Sequence, residues 1–216
     1  MSNRSTSSAS VFGVTGGIGS GKTVFARALG RLGARVIDAD ETAKRLVDSD
    51  PDIRNALKKT FGGGIFDGNG RVDRRKLAEQ AFSDSAKLNA LNGIVWPALI
   101  SEIQKTIKDH QSMESSVPIV VDMAVLYEAG CESMFDSVVA VEAPLEERVR
   151  RISRSRAWSA EEIRRRMAAQ MDVEEKSGRA DWIVKNNGDL ESLDLRAREV
   201  FDTFLHRANK RKGTAS

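Results

Sequence analysis

Gly16-Gly17-Ile18-Gly19-Ser20-Gly21-Lys22-Thr23 fits the spacing G-x-x-x-x-G-K-[ST], a set of residue types that answers the needs of a polyphosphate. Several backbone N–H groups must point into one concavity, and only glycines let a chain turn that tightly and approach an anion that closely. Lys22 adds a point charge for the β and γ phosphates, and the Thr23 hydroxyl offers one coordination position to Mg²⁺. Val11-Phe12-Gly13-Val14 runs apolar into the loop, and Val24, Phe25, Ala28, Leu29 and Leu32 follow it at helical spacing. Strand, glycine loop and a helix with its positive end toward the anion form the context this chemistry requires. The chain is expected to bind ATP, with Gly16, Gly17, Gly19, Ser20, Gly21, Lys22 and Thr23 as the phosphate cradle.

Three further groups of charge are candidates. Asp38-Ala39-Asp40 closes a second strand-like run, where alternation places Asp38 and Asp40 on one side. One carboxylate then bears on the metal region and the other on a substrate hydroxyl, unless one of them caps a helix starting near Glu41. Asp122 ends the apolar run Ile119-Val120-Val121, the arrangement of a carboxylate that holds Mg²⁺ through water, or else of an ordinary turn. Eight arginines lie between Arg148 and Arg166, most of them a solvated helical face. Arg151, Arg154 and Arg156 are the candidates to offset charge on a transferring phosphoryl group.

These residues need a frame. Strand-like runs at 11–14, 35–37, 118–123, 137–141 and 182–184 alternate with helical patterns, which predicts an α/β fold with a parallel sheet and helices on both faces. An insertion over about 50–112 has helical patterns at 52–61, 74–82 and 98–108 and reads as a substrate-binding lobe. Ser159 and Glu162 have capping-box spacing, so a helix is expected from about Ala160 toward Met171, with another ending near Ser153. Such a helix-loop-helix over about 145–172 can act as a lid in kinases with this loop.

At 216 residues the chain is expected to form one kinase-type domain over about 11–208. With 34 basic against 31 acidic residues, its composition does not point to a nucleic-acid partner. No run approaches the ~20 apolar residues of a membrane span. The one cysteine, Cys131, leaves no internal disulfide framework and suits a reducing cytoplasm, with a buried thiol as the expectation. Residues 1–10 read as a disordered leader and 209–216 as a solvated basic tail. Oligomeric state is not legible.

In this order, Thr15 to Thr23, Ile37-Asp38-Ala39-Asp40, Gly70-Arg71-Val72-Asp73-Arg74, Val121-Asp122 through Tyr127-Glu128, Ala169-Gln170, Ala180-Asp181 and Asn186-Asn187-Gly188 resemble the landmarks of the dephospho-coenzyme A kinase family. The resemblance covers roughly residues 11 to 200. It implies a P-loop kinase fold with a helical insertion and a helical lid, and ATP-dependent phosphorylation of the ribose 3′-hydroxyl of dephospho-coenzyme A, with Mg²⁺ as cofactor. It further implies Asp40 as general base, Lys22 and a lid arginine (Arg154 or Arg156) as charge stabilisers, and Asn187 and Gly188 against the adenine. Thr15, Arg74, Trp96 and Glu128 would line the acceptor pocket. A kinase for another small acceptor and a nucleotide-binding protein with weak or no transfer activity are the alternatives.

Overall fold

Five short runs rich in Val and Ile pair side by side, all parallel, in the order β2-β3-β1-β4-β5. They are β1 (Val11–Thr15), β2 (Arg35–Asp38), β3 (Ile119–Asp122), β4 (Ser137–Glu142) and β5 (Trp182–Lys185). This computed structural model describes residues 9–113, 117–155 and 158–213, with side chains as far as His206. The first strand is buried along its whole length, as expected of a central strand covered on both faces. Since β2 and β3 lie on one side of it and β4 and β5 on the other, the strand order reverses at β1, and a ligand crevice belongs beyond its carboxyl end.

The helices are α1 (Lys22–Arg31), α2 (Ala39–Ser49), α3 (Pro51–Phe61), α4 (Arg74–Ala81), α5 (Ser85–Ser112), α6 (Leu145–Ser155), α7 (Ala160–Ala168), α8 (Val173–Arg179) and α9 (Leu190–Gly213). Two compact units emerge, one formed by residues 1–38 and 104–216, the other by the uninterrupted stretch Ala39–Ile103. In the first, Phe12 of β1 stacks on Phe204 of α9 with ring centroids 3.5 Å apart, and Phe25, Leu29, Val139, Leu193 and Ala197 complete the core. Contacts of α1 with α9 close that face of the sheet.

In the second unit Ile53, Leu57, Phe61, Ile65, Leu77, Ala81, Val95 and Leu99 are buried. Helices α3 and α4 start on acidic caps. The Asp50 carboxylate accepts from the N–H groups of Asp52 and Ile53 at 2.9 and 3.1 Å, ahead of Pro51 at the first helical position. Asp73 does the same for Arg75 and Lys76 at 3.1 and 3.2 Å.

Several boundaries differ from expectation. The chain passes straight from β2 into α2 at Ala39, so Asp40 lies in a first helical turn and strand alternation does not relate it to Asp38. Helix α5 runs through Pro97 from Ser85, far upstream of residue 98. The ring of Pro97 opposes the carbonyl of residue i−4, here Gly93, which has no side chain to resist the adjustment. Helix α7 stops at Ala168, three residues short of Met171, when the N–H groups of Ala169 and Gln170 close the last turn on Arg165 and Met167. Ala9 and Ser10, read as leader, are buried and bonded to Gln111 and Ile119, while residues 1–8 lie outside the described residues. Lys210-Arg211-Lys212, read as tail, continue α9, and residues 214–216 lie outside the described set.

Candidate active site

The glycine loop leaves the carboxyl end of β1 and enters α1 through Gly21, whose φ of 92° is left-handed. A side chain there would be strained and would collide with the Asn186 amide. Gly19 has φ 80°, and a Cβ on it would come within 2.7 Å of the Arg148 carbonyl oxygen. These two positions require glycine for both conformation and space. Within the loop, the Ser20 hydroxyl is buried with no partner, a polar atom whose acceptor or donor is missing from the protein. That is the observation a phosphate ligand fits.

Lys22 and Asp122 meet at the floor of the loop. The Lys22 ammonium donates to Asp122 Oδ1 at 2.8 Å with side chains 11% and 2% exposed, and the Thr23 hydroxyl lies 3.4 Å from the same nitrogen. Parallel register explains the meeting: Asp122 of β3 lies opposite Val14 of β1 and Asp38 of β2. Loop lysine, loop hydroxyl and strand carboxylate thus gather beyond the strand ends. Thr23 and Asp122 each bring an oxygen close to the Lys22 ammonium, whereas no group of three or more His, Cys, Asp or Glu that could hold a metal occurs among the described residues. An oxygen set this small suits Mg²⁺, which keeps waters and phosphate oxygens as its other ligands.

Four residues from three other segments hold the loop from outside. Asn186, buried after β5, donates its amide to the Ser20 carbonyl at 2.7 Å. Arg151 reaches the same carbonyl at 3.4 Å and the Asn186 carbonyl at 3.3 Å. Arg148 donates Nε to the Ile18 carbonyl at 2.9 Å, and Gln170 Oε1 accepts from the Ile18 N–H at 2.9 Å. Burial lowers the Arg148 guanidinium from its ordinary pKa, with the Asp172 charge opposing. Beside Arg148 a cleft of about 520 Å³ is lined by Glu142, Pro144, Asp172, Lys185 and Asn187.

The arginines divide differently from expectation. Arg148 and Arg151, on the inner face of α6, touch the loop; Arg154 is exposed and makes no bond to it. Arg154 sits six residues beyond Arg148, roughly 240° around the helix, so in the last turn of α6 its side chain stands in solvent. Arg156 lies outside the described residues. Only the 3.6-residue period, followed through the arginine run, could have separated the inward pair from the outward ones.

Glu128 is also recast. Its Oε1 accepts from the Lys176 ammonium at 2.7 Å and from the Met171 N–H at 2.9 Å, so this oxygen braces the protein. Lys176 is wholly buried and also donates to the Ala124 carbonyl at 2.6 Å, which Thr15 reaches through its hydroxyl at 3.1 Å. Burial lowers the Lys176 ammonium, Glu128 opposes this, and the charges of Lys22 and Arg148 push it further down. Asn187 and Gly188 follow β5, both exposed. In the second unit Asp40 is exposed, Arg74 pairs with Asp48, and Trp96 is half-buried in α5. Sequence reading missed Arg148, Gln170 and Lys176 as site residues; Ala169-Gln170 stood out only as a landmark without a role.

A family model described as Dephospho-CoA kinase matches residues 10–192. A dephospho-CoA kinase of Corynebacterium diphtheriae is 36% identical over 194 residues, spanning 90% of this chain and 96% of that one. A solved structure from Thermus thermophilus superposes with a TM-score of 0.74 at 35% identity, over 91% of this chain and 98% of its own. A dephospho-CoA kinase structure from Campylobacter jejuni has a TM-score of 0.61 at 22% identity, covering 91% and 97%, and a shikimate kinase of Acinetobacter baumannii one of 0.51 at 14%, covering 92% and 94%; both show the shared fold.

Proposed function

The chain belongs to the dephospho-CoA kinase family, whose reaction is ATP-dependent phosphorylation of the ribose 3′-hydroxyl of dephospho-coenzyme A in the last step of coenzyme A synthesis, and from that premise we propose how its residues divide the work. The cradle from Gly16 to Thr23 holds the β and γ phosphates on backbone N–H groups, with Lys22 neutralising charge that builds as the γ-phosphoryl moves. Asp40 accepts the proton of the attacking 3′-hydroxyl, so that an alkoxide-like oxygen forms only as the bond to phosphorus forms. Thr23 and Asp122 would hold Mg²⁺, which would supply neutralisation of the phosphate oxygens. Arg148 and Arg151 offer guanidinium charge at the loop, a part for which Arg151, Arg154 and Arg156 are the candidates from sequence.

The observation that carries this reading is the buried Lys22–Asp122 pair beside Thr23 at the strand ends. Three groups of complementary phosphate and cation chemistry stand together where the sheet order reverses. Asn187 and Gly188 serve the adenine, and Ala39–Ile103, with Arg74 and Trp96, is the acceptor lobe. Glu128 contributes through its bracing of Met171 and Lys176. None of the described helices is long and apolar enough to cross a membrane, and we place the reaction in the cytoplasm.

The test is ADP release measured by a coupled assay with Mg²⁺ and ATP. Dephospho-coenzyme A is expected to be phosphorylated in preference to AMP, adenosine and shikimate. Equal turnover of these acceptors would reject the assignment.

A further inference from the structure

Ile18 contributes no polar side chain to the phosphate loop, yet both of its backbone polar groups are taken by side chains distant in sequence. Gln170 Oε1 accepts its N–H at 2.9 Å, and Arg148 Nε donates to its carbonyl at 2.9 Å. Two successive peptide planes, on either side of Ile18, are thereby fixed. Arg148 lies in α6 and Gln170 two residues beyond the end of α7, so the partners stand at the two ends of the helix pair read as the lid. The Arg148 head also covers Gly17, where a Cβ would come within 2.6 Å of Nη2.

The Gln170 end is itself anchored. Glu128 Oε1 accepts the N–H of the next residue, Met171, and pairs with Lys176, which donates in turn to the Ala124 carbonyl two residues past Asp122. A side chain at 170 is therefore presented to Ile18 from a backbone that is held independently. An N–H bonded within the protein is withdrawn from the ligand; its value lies in orienting the neighbours that remain.

We propose that Gln170 is a positioning residue for phosphate binding, one that sets the peptide at Ile18 and so ties the end of the lid to the shape of the cradle. This rests on the reading of residues 16–23 as the ATP cradle and of α6–α7 as the lid. Gln170 touches no reacting atom; it acts through Ile18.

Gln170→Leu keeps the bulk and removes the acceptor. Amide exchange at Ile18, followed by NMR on labelled protein, should accelerate about tenfold, and the MgATP dissociation constant by calorimetry should rise roughly three- to tenfold, the range of one net hydrogen bond. KM for dephospho-coenzyme A should stay unchanged. Gln170→Glu retains an acceptor oxygen and should restore protection at Ile18, which a merely space-filling role would not predict. Should the leucine variant fail to fold, Gln170→Asn, one methylene short, is read by the same two measurements. Wild-type exchange at Ile18 together with wild-type MgATP affinity in the substituted protein would overturn the proposal. Both readouts need only MgATP, so absence of dephospho-coenzyme A turnover would count against the acceptor assignment alone.

Discussion

Asp40 is exposed in the first turn of α2, where an attacking hydroxyl can approach its carboxylate and pass it a proton that leaves only in the transition state. Asp40→Asn should leave MgATP binding within about twofold by calorimetry while lowering kcat about a hundred- to ten-thousandfold, the usual reach of a general base. Retained turnover would show that no base acts at this position. Lys22→Ala has a different signature, because Asp122 would be left as a buried carboxylate without its 2.8 Å partner. Loss of one member of such a pair costs about 3–5 kcal/mol, so the variant should melt well below the parent besides losing MgATP affinity. Thermal unfolding alongside calorimetry separates the two effects; unchanged melting would mean that solvent reaches Asp122. Motif spacing was enough to name Lys22, Thr23 and Asp122, since local glycine geometry and strand register bring them together. It was not enough for Arg148 or Gln170, whose partners are the backbone groups of Ile18, more than a hundred residues away.

At the scale of elements, Asp73 shows how a landmark can be structural. In Gly70-Arg71-Val72-Asp73-Arg74 the aspartate is the cap of α4, with two N–H groups on one carboxylate oxygen. Asp73→Ala should cost about 1 kcal/mol, lowering Tm by roughly 2–4 °C, and leave KM for ATP unchanged. A loss of ATP affinity without a change in Tm would instead place Asp73 in nucleotide binding. The strands and the helices α3 and α4 were legible because apolar period, Pro51 and acidic caps agree with the fold. The start of α2 was hidden because nothing in Ala39-Asp40 interrupts the strand pattern, and α5 was hidden by Pro97, which reads as a break unless Gly93 four residues earlier is weighed. At Ser159 half of the expected capping box forms: its hydroxyl accepts from the Glu162 N–H at 3.1 Å, whereas the Glu162 carboxylate turns to Arg166.

For the whole molecule, Cys131 gives a handle on stability. It is 4% exposed, and burial, aided by the charges of Glu132 and Glu128, pushes its thiol up to about 11. A thiol whose pKa is higher folded than unfolded contributes stability that is complete below the ordinary thiol value of about 8.5 and declines as pH rises through about 11. Urea unfolding of the protein and of Cys131→Ala should therefore show a gap in favour of the parent that narrows by about 2–3 kcal/mol between pH 8 and pH 11. A constant gap would mean that the thiol ionises alike in both states. The division of the chain into two units has a separate consequence. Because Ala39–Ile103 is one unbroken stretch inserted after β2, the proposed acceptor lobe, with Arg74, Trp96 and the base Asp40, is written in a single cassette, while the phosphate loop is encoded before it and Asp122 after it. Exchange of the stretch beyond Asp40 replaces the proposed acceptor lobe and leaves both the phosphate loop and the base in place, so a single genetic event can bring a new alcohol to an old phosphoryl donor.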